Sequence, residues 1–267
     1  MGIINATPDS FSDGSELGKD LQSNFSIDLD KVLHRVDDMV GAGAVILDIG
    51  GESTRPGAAE VSTQEELDRV IPVVEAICQR FDVCISVDTS NVEVMRAAII
   101  AGAGLINDVR ALQREGAIEL LSQTKTAACL MHMQGKPDTM QQAPSYVDIG
   151  QDVMDFLRER VTLCLKQGME RGRLVVDPGF GFGKTLKHNF QLLKALPQLA
   201  QLELPILVGI SRKSMIGGVT GRPVDERLAG SIAATMLALQ GGANIVRTHD
   251  VAGTMDAIRV HSAYQES

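Results

Sequence analysis

The chain has 267 residues, of which 44% are hydrophobic and 22% are charged, and its 25 Lys and Arg against 34 Asp and Glu give a formal net charge of -9. This acidic balance argues against a nucleic-acid-binding function, because that affinity depends on many cationic side chains. No apolar run approaches the roughly 18 residues of a membrane span, and the sequence shows no signal peptide, so we expect a cytoplasmic protein.

A short apolar run that closes on a polar or charged residue occurs eight times, each time followed by a helical pattern. The predicted strands are residues 2–4, 45–47, 83–87, 105–106, 127–131, 174–176, 206–210 and 245–246. The polar residues that follow them are Asn5, Asp48, Asp88, Asn107 with Asp108, His132, Asp177, Ser211 and Arg247. These markers recur about every 35 residues, which is the size of a strand–helix unit with its loops.

Eight such units predict a (β/α)8 TIM barrel of the α/β class, with residues 1–267 as a single domain. The alternative is an open doubly wound sheet, which normally carries a glycine-rich phosphate turn after its first strand. Here the first loop, residues 7–14, has only one glycine. The longer segment from Thr7 to Ser26 is rich in Asp, Ser and Gly, and it predicts a mobile loop over a site.

Helix starts and cysteine usage complete the outline of the fold. Ser62 with Glu65, and Ser90 with Glu93, match the capping box that begins a helix. The four cysteines have no C-x-x-C spacing and lie in apolar patterns, which indicates free buried thiols in a reducing compartment rather than a zinc site. They are Cys78, Cys84, Cys129 and Cys164.

In a TIM barrel the residues that follow the strands converge on one pocket, so these residues carry the prediction of an active site. The candidate acceptors are Asp48, Asp88, Asn107 and Asp177. The candidate donors and cations are Asn5, Arg55, Lys213, Arg247 and His249. This set suits a ligand with one anionic part and one part that offers fixed N–H donors. Taken singly, Asp48 and Asp88 are equally compatible with strand-end caps, and His132 with a core histidine.

The segment 177–185 resembles a phosphate-binding P-loop, but the first glycine of that motif would fall on Pro178. The segment is therefore either a loop that approaches a ligand or a tight strand-to-helix turn. The loops at 211–214 and 247–250 follow the seventh and eighth strands, where barrels often bind anions. A Schiff base on Lys213 is a weaker option, and Ser211 has no evident histidine partner for triad chemistry.

Five motifs, in order along nearly the whole chain, resemble the dihydropteroate synthase family. They are residues 5–14 (NATPDSFSDG), 50–57 (GGESTRPG), 177–184 (DPGFGFGK), 211–214 (SRKS) and 247–250 (RTHD). The resemblance implies a TIM-barrel transferase of folate biosynthesis, usually a homodimer. Such an enzyme joins 6-hydroxymethyl-7,8-dihydropterin diphosphate to p-aminobenzoate and releases diphosphate. Relatives often carry a short segment before the first strand, and we expect a chain without it to be less stable but unchanged at the site.

The resemblance also implies roles for individual residues. The pterin would be held by Asp88, Asn107, Asp177 and Lys213. The diphosphate would face Asn5, Arg247 and His249 together with Mg²⁺, for which Asn5 is the expected protein ligand. The aminobenzoate side would be formed by Phe11, Asp13, Thr54, Arg55, Pro56, Phe182 and the backbone N–H of Ser214. Among these residues, the resemblance assigns the catalytic step to Asp13, Arg55 and Lys213.

The implied reaction begins with cleavage of the C–O bond to the diphosphate, which leaves a cationic pterin methylene for the aromatic amine to attack. Two other functions use a similar pterin pocket. A methyltetrahydrofolate methyltransferase would need a corrinoid partner, and the S-R-K and T-R-P-G motifs argue against it. A non-catalytic pterin-binding paralogue should have lost first-loop or diphosphate residues, yet Asn5, Arg55, Lys213 and His249 are all present.

Overall fold

The computed structural model describes residues 1–7, 18–21, 24–52, 61–135, 140–141 and 143–267. Its strands, in chain order, are β1 (Gly2–Asn5), β2 (Gly18–Leu21), β3 (Asn24–Ile27), β4 (Ile46–Gly50), β5 (Cys84–Asp88), β6 (Leu105–Asp108), β7 (Ala127–Met131), β8 (Leu174–Asp177), β9 (Leu207–Val208) and β10 (Ile245–Val246). All eight strands predicted from the sequence are present.

Helices follow the parallel strands. They are α1 (Leu29–Gly41), α2 (Thr63–Cys78), α3 (Val92–Ala101), α4 (Ala117–Ser122), α5 (Ile149–Lys166), α6 (Leu186–Ala195), α7 (Ser214–Thr220), α8 (Leu228–Gln240) and α9 (Val251–Gln265). Short 3-10 helices lie at Arg171–Arg173, Leu196–Leu202 and Val224–Glu226. In the described part of the chain, no helix has the length and apolar character needed to cross a bilayer.

Parallel pairing arranges the strands around one axis. Six of them form a sheet in the order β1-β4-β5-β6-β7-β8, and β9 pairs with β10. Val176 of β8 pairs with Ile206 next to β9, and Gly2 of β1 pairs with Thr248 beyond β10. Because these two bridges join the sheets at both edges, the architecture is the (β/α)8 barrel and not the open doubly wound sheet.

Two apolar cores stabilise the barrel. The larger lies between strands and helices and includes Leu47, Ile49, Val70 and Leu157, each fully buried. The smaller fills the amino-terminal half of the barrel interior. It consists of Leu105, Cys129, Val175 and Leu207, with Met1, Ala127 and Ile245 packed against it. We call this second group the lower cluster. Successive side chains of a strand point alternately outward, into the larger core, and inward, into the barrel interior, because side-chain direction in a strand repeats every two residues.

The structure corrects four sequence-based predictions. Within the proposed mobile loop, residues 18–21 and 24–27 form an antiparallel hairpin, and residues 8–17 and 22–23 lie outside the described part. The second apolar run does not end at Asp48, because β4 continues to Gly50. Ser62 and Glu65 do form a capping box, but α3 is capped by Asn91 instead of Ser90. Cys78 and Cys84 are exposed, whereas Cys129 and Cys164 are buried, and all four are free thiols.

Candidate active site

A cavity of about 520 Å³ opens at the carboxyl ends of the barrel strands. Nine residues assigned to the site from the sequence line it: Asn5, Asp88, Asn107, Asp177, Phe182, Lys213, Ser214, Arg247 and His249. The other five assigned residues lie outside the described part of the chain: Phe11, Asp13, Thr54, Arg55 and Pro56. The structure therefore brings together every assigned residue that it describes.

Asp48 lies beneath the cavity floor and connects three strands. Its side chain is fully buried and accepts hydrogen bonds from Ser86 Oγ at 2.5 Å, Asn107 Nδ2 at 3.1 Å and Arg247 Nε at 2.5 Å. A buried carboxylate is tolerated when it is paired with a cation and hydrogen-bonded in this way. Asp48 is thus neither a strand-end cap nor a direct lining residue; it orients two residues that do line the cavity.

Asn107 shows what this orientation achieves. A carboxylate can only accept hydrogen bonds, so Asp48 fixes the Asn107 side chain with its NH₂ group pointing down. Its carbonyl oxygen Oδ1 is buried and has no hydrogen-bond partner among the described residues. A buried acceptor without a partner is costly, and this one belongs to a residue that lines the cavity. The site is therefore prepared for a ligand that donates a hydrogen bond at this point.

Arg247 and Asp88 form the second pair at the floor. Arg247 Nη2 donates to Asp88 Oδ2 at 3.1 Å while its Nε is held by Asp48. Burial opposes the charge on Arg247, but the two carboxylates outweigh burial and raise its pKa. Burial raises the pKa of Asp88 to about 7, although Arg247 partly opposes the shift. Asp88 can therefore change its protonation state near neutral pH.

Asp177, the last residue of β8, and Lys213, on the loop after β9, also line the cavity. Burial raises the pKa of Asp177, opposed by the charge of Lys213 and by the Gly179 N–H, which lies 2.7 Å from Asp177 Oδ1. Burial lowers the pKa of Lys213 to about 8, opposed by Asp177. The Lys213 ammonium also donates to the Phe180 carbonyl and lies 4.5 Å from the centre of the Phe182 ring. This arrangement holds a cation between an anion and an aromatic face.

The loops after β9 and β10 are joined by a hydrogen-bond network. Ser211 Oγ lies 3.0 Å from His249 Nδ1, and the His249 backbone N–H donates to Ser211 Oγ at 3.2 Å. Ser211 therefore has a histidine neighbour that the sequence did not reveal. The contact positions His249, and the adjacent carboxylate of Asp250 is paired with Arg212. Sequence reasoning missed it because the partners are 38 residues apart.

The segment 177–185 combines both interpretations that the sequence left open. Asp177, Gly181 and Phe182 line the cavity, and the turn is tight, with positive φ at Gly179, Gly181 and Gly183. Lys184 does not act as a P-loop lysine. It is 3% exposed, and its ammonium contacts backbone carbonyls and His132, which confirms the core-histidine interpretation of His132. No motif identified Lys184, or Asp48, as an organising residue.

Two chemical environments result. The floor offers hydrogen-bond acceptors from Asp88, Asn107 and Asp177, which suit the edge of a flat heterocycle that carries N–H groups. Beside these acceptors, Arg247 and Lys213 offer positive charge, which suits an anionic group. Among the described residues, no cluster of three or more His, Cys, Asp or Glu side chains could hold a metal ion by itself. A divalent cation at Asn5 would therefore need most of its oxygen ligands from the substrate and water.

Comparison with known proteins agrees with this site. Residues 1–249 match the family model described as pterin binding enzyme. The dihydropteroate synthase of Haemophilus influenzae is 52% identical over 98% of this chain and 92% of its own length.

Solved structures give the same result. A Yersinia pestis dihydropteroate synthase in complex with a sulfonamide drug superimposes with a TM-score of 0.94 at 50% identity, covering 100% of this chain and 94% of its own. The Xanthomonas albilineans enzyme with 4-aminobenzoic acid gives 0.90 at 46% identity, covering 100% and 93%. From the convergent strand ends, the acceptor-lined floor and these likenesses, we conclude that this chain belongs to the dihydropteroate synthase family of pterin-binding enzymes.

Proposed function

We propose that this cavity joins 6-hydroxymethyl-7,8-dihydropterin diphosphate to p-aminobenzoate, giving 7,8-dihydropteroate and diphosphate, and that the residues named below carry out the reaction. The orientation of Asn107 supports this proposal most strongly. Its buried Oδ1 has no hydrogen-bond partner in the described part of the chain and lies between the strands that carry Asp88 and Asp177. The aminopyrimidine edge of a pterin supplies the donors that these three acceptors need.

The pterin ring binds at the floor. Asp88, Asn107 and Asp177 accept its N–H donors, and Lys213, held beside Asp177 and the Phe180 carbonyl, donates to its ring acceptors. The site is built before the substrate arrives, because Asp48 already fixes Asn107 and Arg247. Such preorganisation reduces the cost of ordering polar groups during the reaction.

The diphosphate binds next to the pterin ring, on the side of Arg247 and His249. Arg247 and His249 face it, and the Ser211 hydroxyl keeps the His249 ring in place through Nδ1. Mg²⁺ fits Asn5 as a single amide oxygen ligand, with diphosphate oxygens and waters as its remaining ligands. When bound, the ion neutralises charge on the leaving diphosphate. Phe182 and the backbone N–H of Ser214 form part of the aminobenzoate side, with Asp13 and Arg55 as the catalytic residues outside the described part.

The chemistry proceeds in two events at the methylene carbon. The C–O bond breaks and its electron pair leaves with the diphosphate, whose charge Arg247 and Lys213 stabilise. The amine nitrogen of p-aminobenzoate then donates its lone pair to the methylene, and the new N–C bond is followed by loss of one N–H proton to solvent. The aromatic amine is nucleophilic without a strong base, so placement of the two substrates supplies most of the acceleration.

The assembly is proposed to be a homodimer. Helix α8 exposes Leu228 and Leu237, and the adjoining helices expose Val219, Val260 and Tyr264. Exposed apolar side chains on neighbouring helices favour association with a second copy. Sedimentation of the purified chain tests the dimer directly, and a monomer at micromolar concentration would contradict it.

We also propose a cytoplasmic location, with which the four free cysteines agree.

One assay tests the proposed reaction. The purified protein is given the pterin diphosphate, p-aminobenzoate and Mg²⁺, and both dihydropteroate and diphosphate are measured. We expect stoichiometric formation of both products. Binding of the pterin compound with no turnover would contradict the proposal and indicate a non-catalytic pterin-binding protein.

A further inference from the structure

We propose that Lys184 and His132 are positioning residues that fix the loop of residues 178–183, and through it the Phe182 face of the aminobenzoate site. This inference rests on the proposed function, because it assigns these two residues to the binding of the second substrate. Neither residue lines the cavity. Both are buried, with 3% and 6% of their surface exposed.

The first argument is that the Lys184 ammonium is saturated by the loop that precedes it. Its Nζ lies 2.8 Å from the Gly179 carbonyl, 3.0 Å from the Phe182 carbonyl and 3.0 Å from His132 Nδ1. An ammonium has three N–H donors, so these three acceptors can satisfy it, and the His132 carbonyl lies farther away at 3.5 Å. The loop is therefore wrapped around an internal cation, and Phe182 is one of its anchor points.

The second argument is the close approach of the loop to the segment after β7. A Cβ atom added to Gly179 would lie 1.8 Å from the His132 carbonyl oxygen, and one added to Gly183 would lie 2.5 Å from that of Gln134. Both glycines have positive φ, which other residues rarely adopt. Glycine is therefore required at both positions for the loop to pack against this segment. That packing brings the Lys184 ammonium to His132 Nδ1.

The third argument is the protonation state that the contact requires. His132 Nδ1 must be unprotonated to accept from an ammonium. Burial lowers the pKa of His132 to about 3, assisted by the nearby Lys184 charge, so the ring stays neutral at physiological pH. Burial lowers the pKa of Lys184 well below its usual value, and the charge of Asp177 opposes that shift. The three acceptors around Nζ favour the ammonium form.

The outer side of the same loop contacts the reaction site. The Gly179 N–H holds Asp177, the Phe180 carbonyl accepts from Lys213, and the Phe182 ring lies under the Lys213 ammonium. Asp177 and Lys213 are also held by the attraction between their charges, whereas the Phe182 carbonyl is held by Lys184. Loss of Lys184 should therefore affect the aminobenzoate side more than the pterin side.

Lys184→Met tests the proposal, with Lys187→Met as the control, because Lys187 is an exposed lysine three residues away. Misplacement of a positioned group by about 1 Å can cost up to about 100-fold, and we expect Lys184→Met to raise the KM for p-aminobenzoate at least about tenfold on that scale. The Kd for the pterin diphosphate should change much less, and Lys187→Met should match the wild type. A lower Tm with both constants unchanged would overturn the proposal, because a merely structural lysine would behave in that way.

A second pair of variants keeps the test valid if Lys184→Met does not fold. His132→Asn retains an acceptor near the position of Nδ1, and His132→Leu removes it. We expect His132→Asn to keep a KM for p-aminobenzoate close to that of the wild type, and His132→Leu to raise it as Lys184→Met does. Equal KM values for the two His132 variants would overturn the role of the contact.

Hydrogen exchange separates this inference from the proposed function. The amides of residues 179–183 should exchange faster in Lys184→Met than in Lys187→Met, whatever reaction the protein catalyses. Unchanged exchange would overturn the proposal that Lys184 fixes this loop, even if the wild type forms dihydropteroate. Absence of dihydropteroate from the wild type would instead contradict the proposed function.

Discussion

The lower cluster and the cavity floor are built from the same strands but have opposite chemistry. A residue of the lower cluster and a residue of the floor lie two positions apart on β6 and on β8. The same spacing occurs at β10, where the floor residue directly follows the strand. The pairs are Leu105 and Asn107, Val175 and Asp177, and Ile245 and Arg247. Because side chains two positions apart face the same side of a strand, each strand supplies packing at one level and chemistry at the next. Mutations at the two levels should therefore separate stability from activity.

Asp48 is the position where this separation should fail, and it carries the largest expected effect. It is fully buried at mid-strand and holds Arg247 and Asn107 of the floor. Removing one partner of a buried ion pair costs about 3–5 kcal/mol, so Asp48→Asn should lower the free energy of unfolding by that amount and also reduce kcat/KM.

Denaturant unfolding and steady-state kinetics measure the two effects of Asp48→Asn. Asp256→Asn is the matched control, because Asp256 belongs to an exposed ion pair and such pairs contribute little. A variant of Asp48 that loses stability but retains full kcat/KM would show that Asp48 does not position the floor.

Floor residues should affect turnover without unfolding the protein. Lys213→Ala and Asp177→Asn should each reduce kcat by about 100-fold or more, the scale of losing one preorganised stabilising group. Tm should fall less than in Asp48→Asn, because both side chains line the cavity, where solvent can reach them. Thermal melts and product formation measure both, with the exposed Lys194→Ala as the control. Cooperative unfolding of either variant under native conditions would favour a structural role instead.

The lower cluster should show the reverse behaviour. Leu207 is fully buried there, and Leu→Ala substitutions in cores cost about 2–5 kcal/mol. We expect Leu207→Ala to lose stability in that range and to keep the kcat of the folded protein. Ile100→Ala, at an exposed isoleucine outside the proposed dimer surface, serves as the control. A loss of kcat in Leu207→Ala without a loss of stability would show that the two levels are not separate.

The smallest expected effect is a pH dependence at Asp88. Its pKa is raised to about 7 by burial, with Arg247 opposing and with Asp48, Asp108 and Glu66 adding to the rise. Since the folded-state pKa lies above the unfolded value, Asp88 contributes stability that is complete below pH 3.8 and is lost as the pH rises towards 7. The ionised form should accept the pterin donors best, so pterin affinity should fall as the pH is lowered through 7.

Titration calorimetry from pH 5.5 to 8.5, on wild type and Asp88→Asn, measures this dependence. The expected loss is at most about tenfold per pH unit for one titrating group. The variant should bind more weakly with a flatter pH profile. An equally steep profile in both proteins would assign the dependence to another group.

The sequence predicted the strand positions and most of the floor because both depend on local patterns. The short apolar runs located Leu105 and Val175, and the polar residues that follow located Asn107 and Asp177. It did not predict Asp48 as an organising residue, because that role requires contacts across 38, 59 and 199 positions. It also missed the role of Lys184, because the motif that contains this lysine does not indicate that the preceding loop encloses its ammonium. The antiparallel hairpin after β1 was missed because its strands are short and polar.

The most direct measurement of the central claim is a structure of this protein with 6-hydroxymethyl-7,8-dihydropterin diphosphate bound. We predict that the aminopyrimidine edge lies within hydrogen-bond distance of Asn107 Oδ1 and of the Asp88 and Asp177 carboxylates. The diphosphate should contact Arg247 and His249. A pterin ring bound elsewhere, with Asn107 Oδ1 still lacking a partner, would contradict the account.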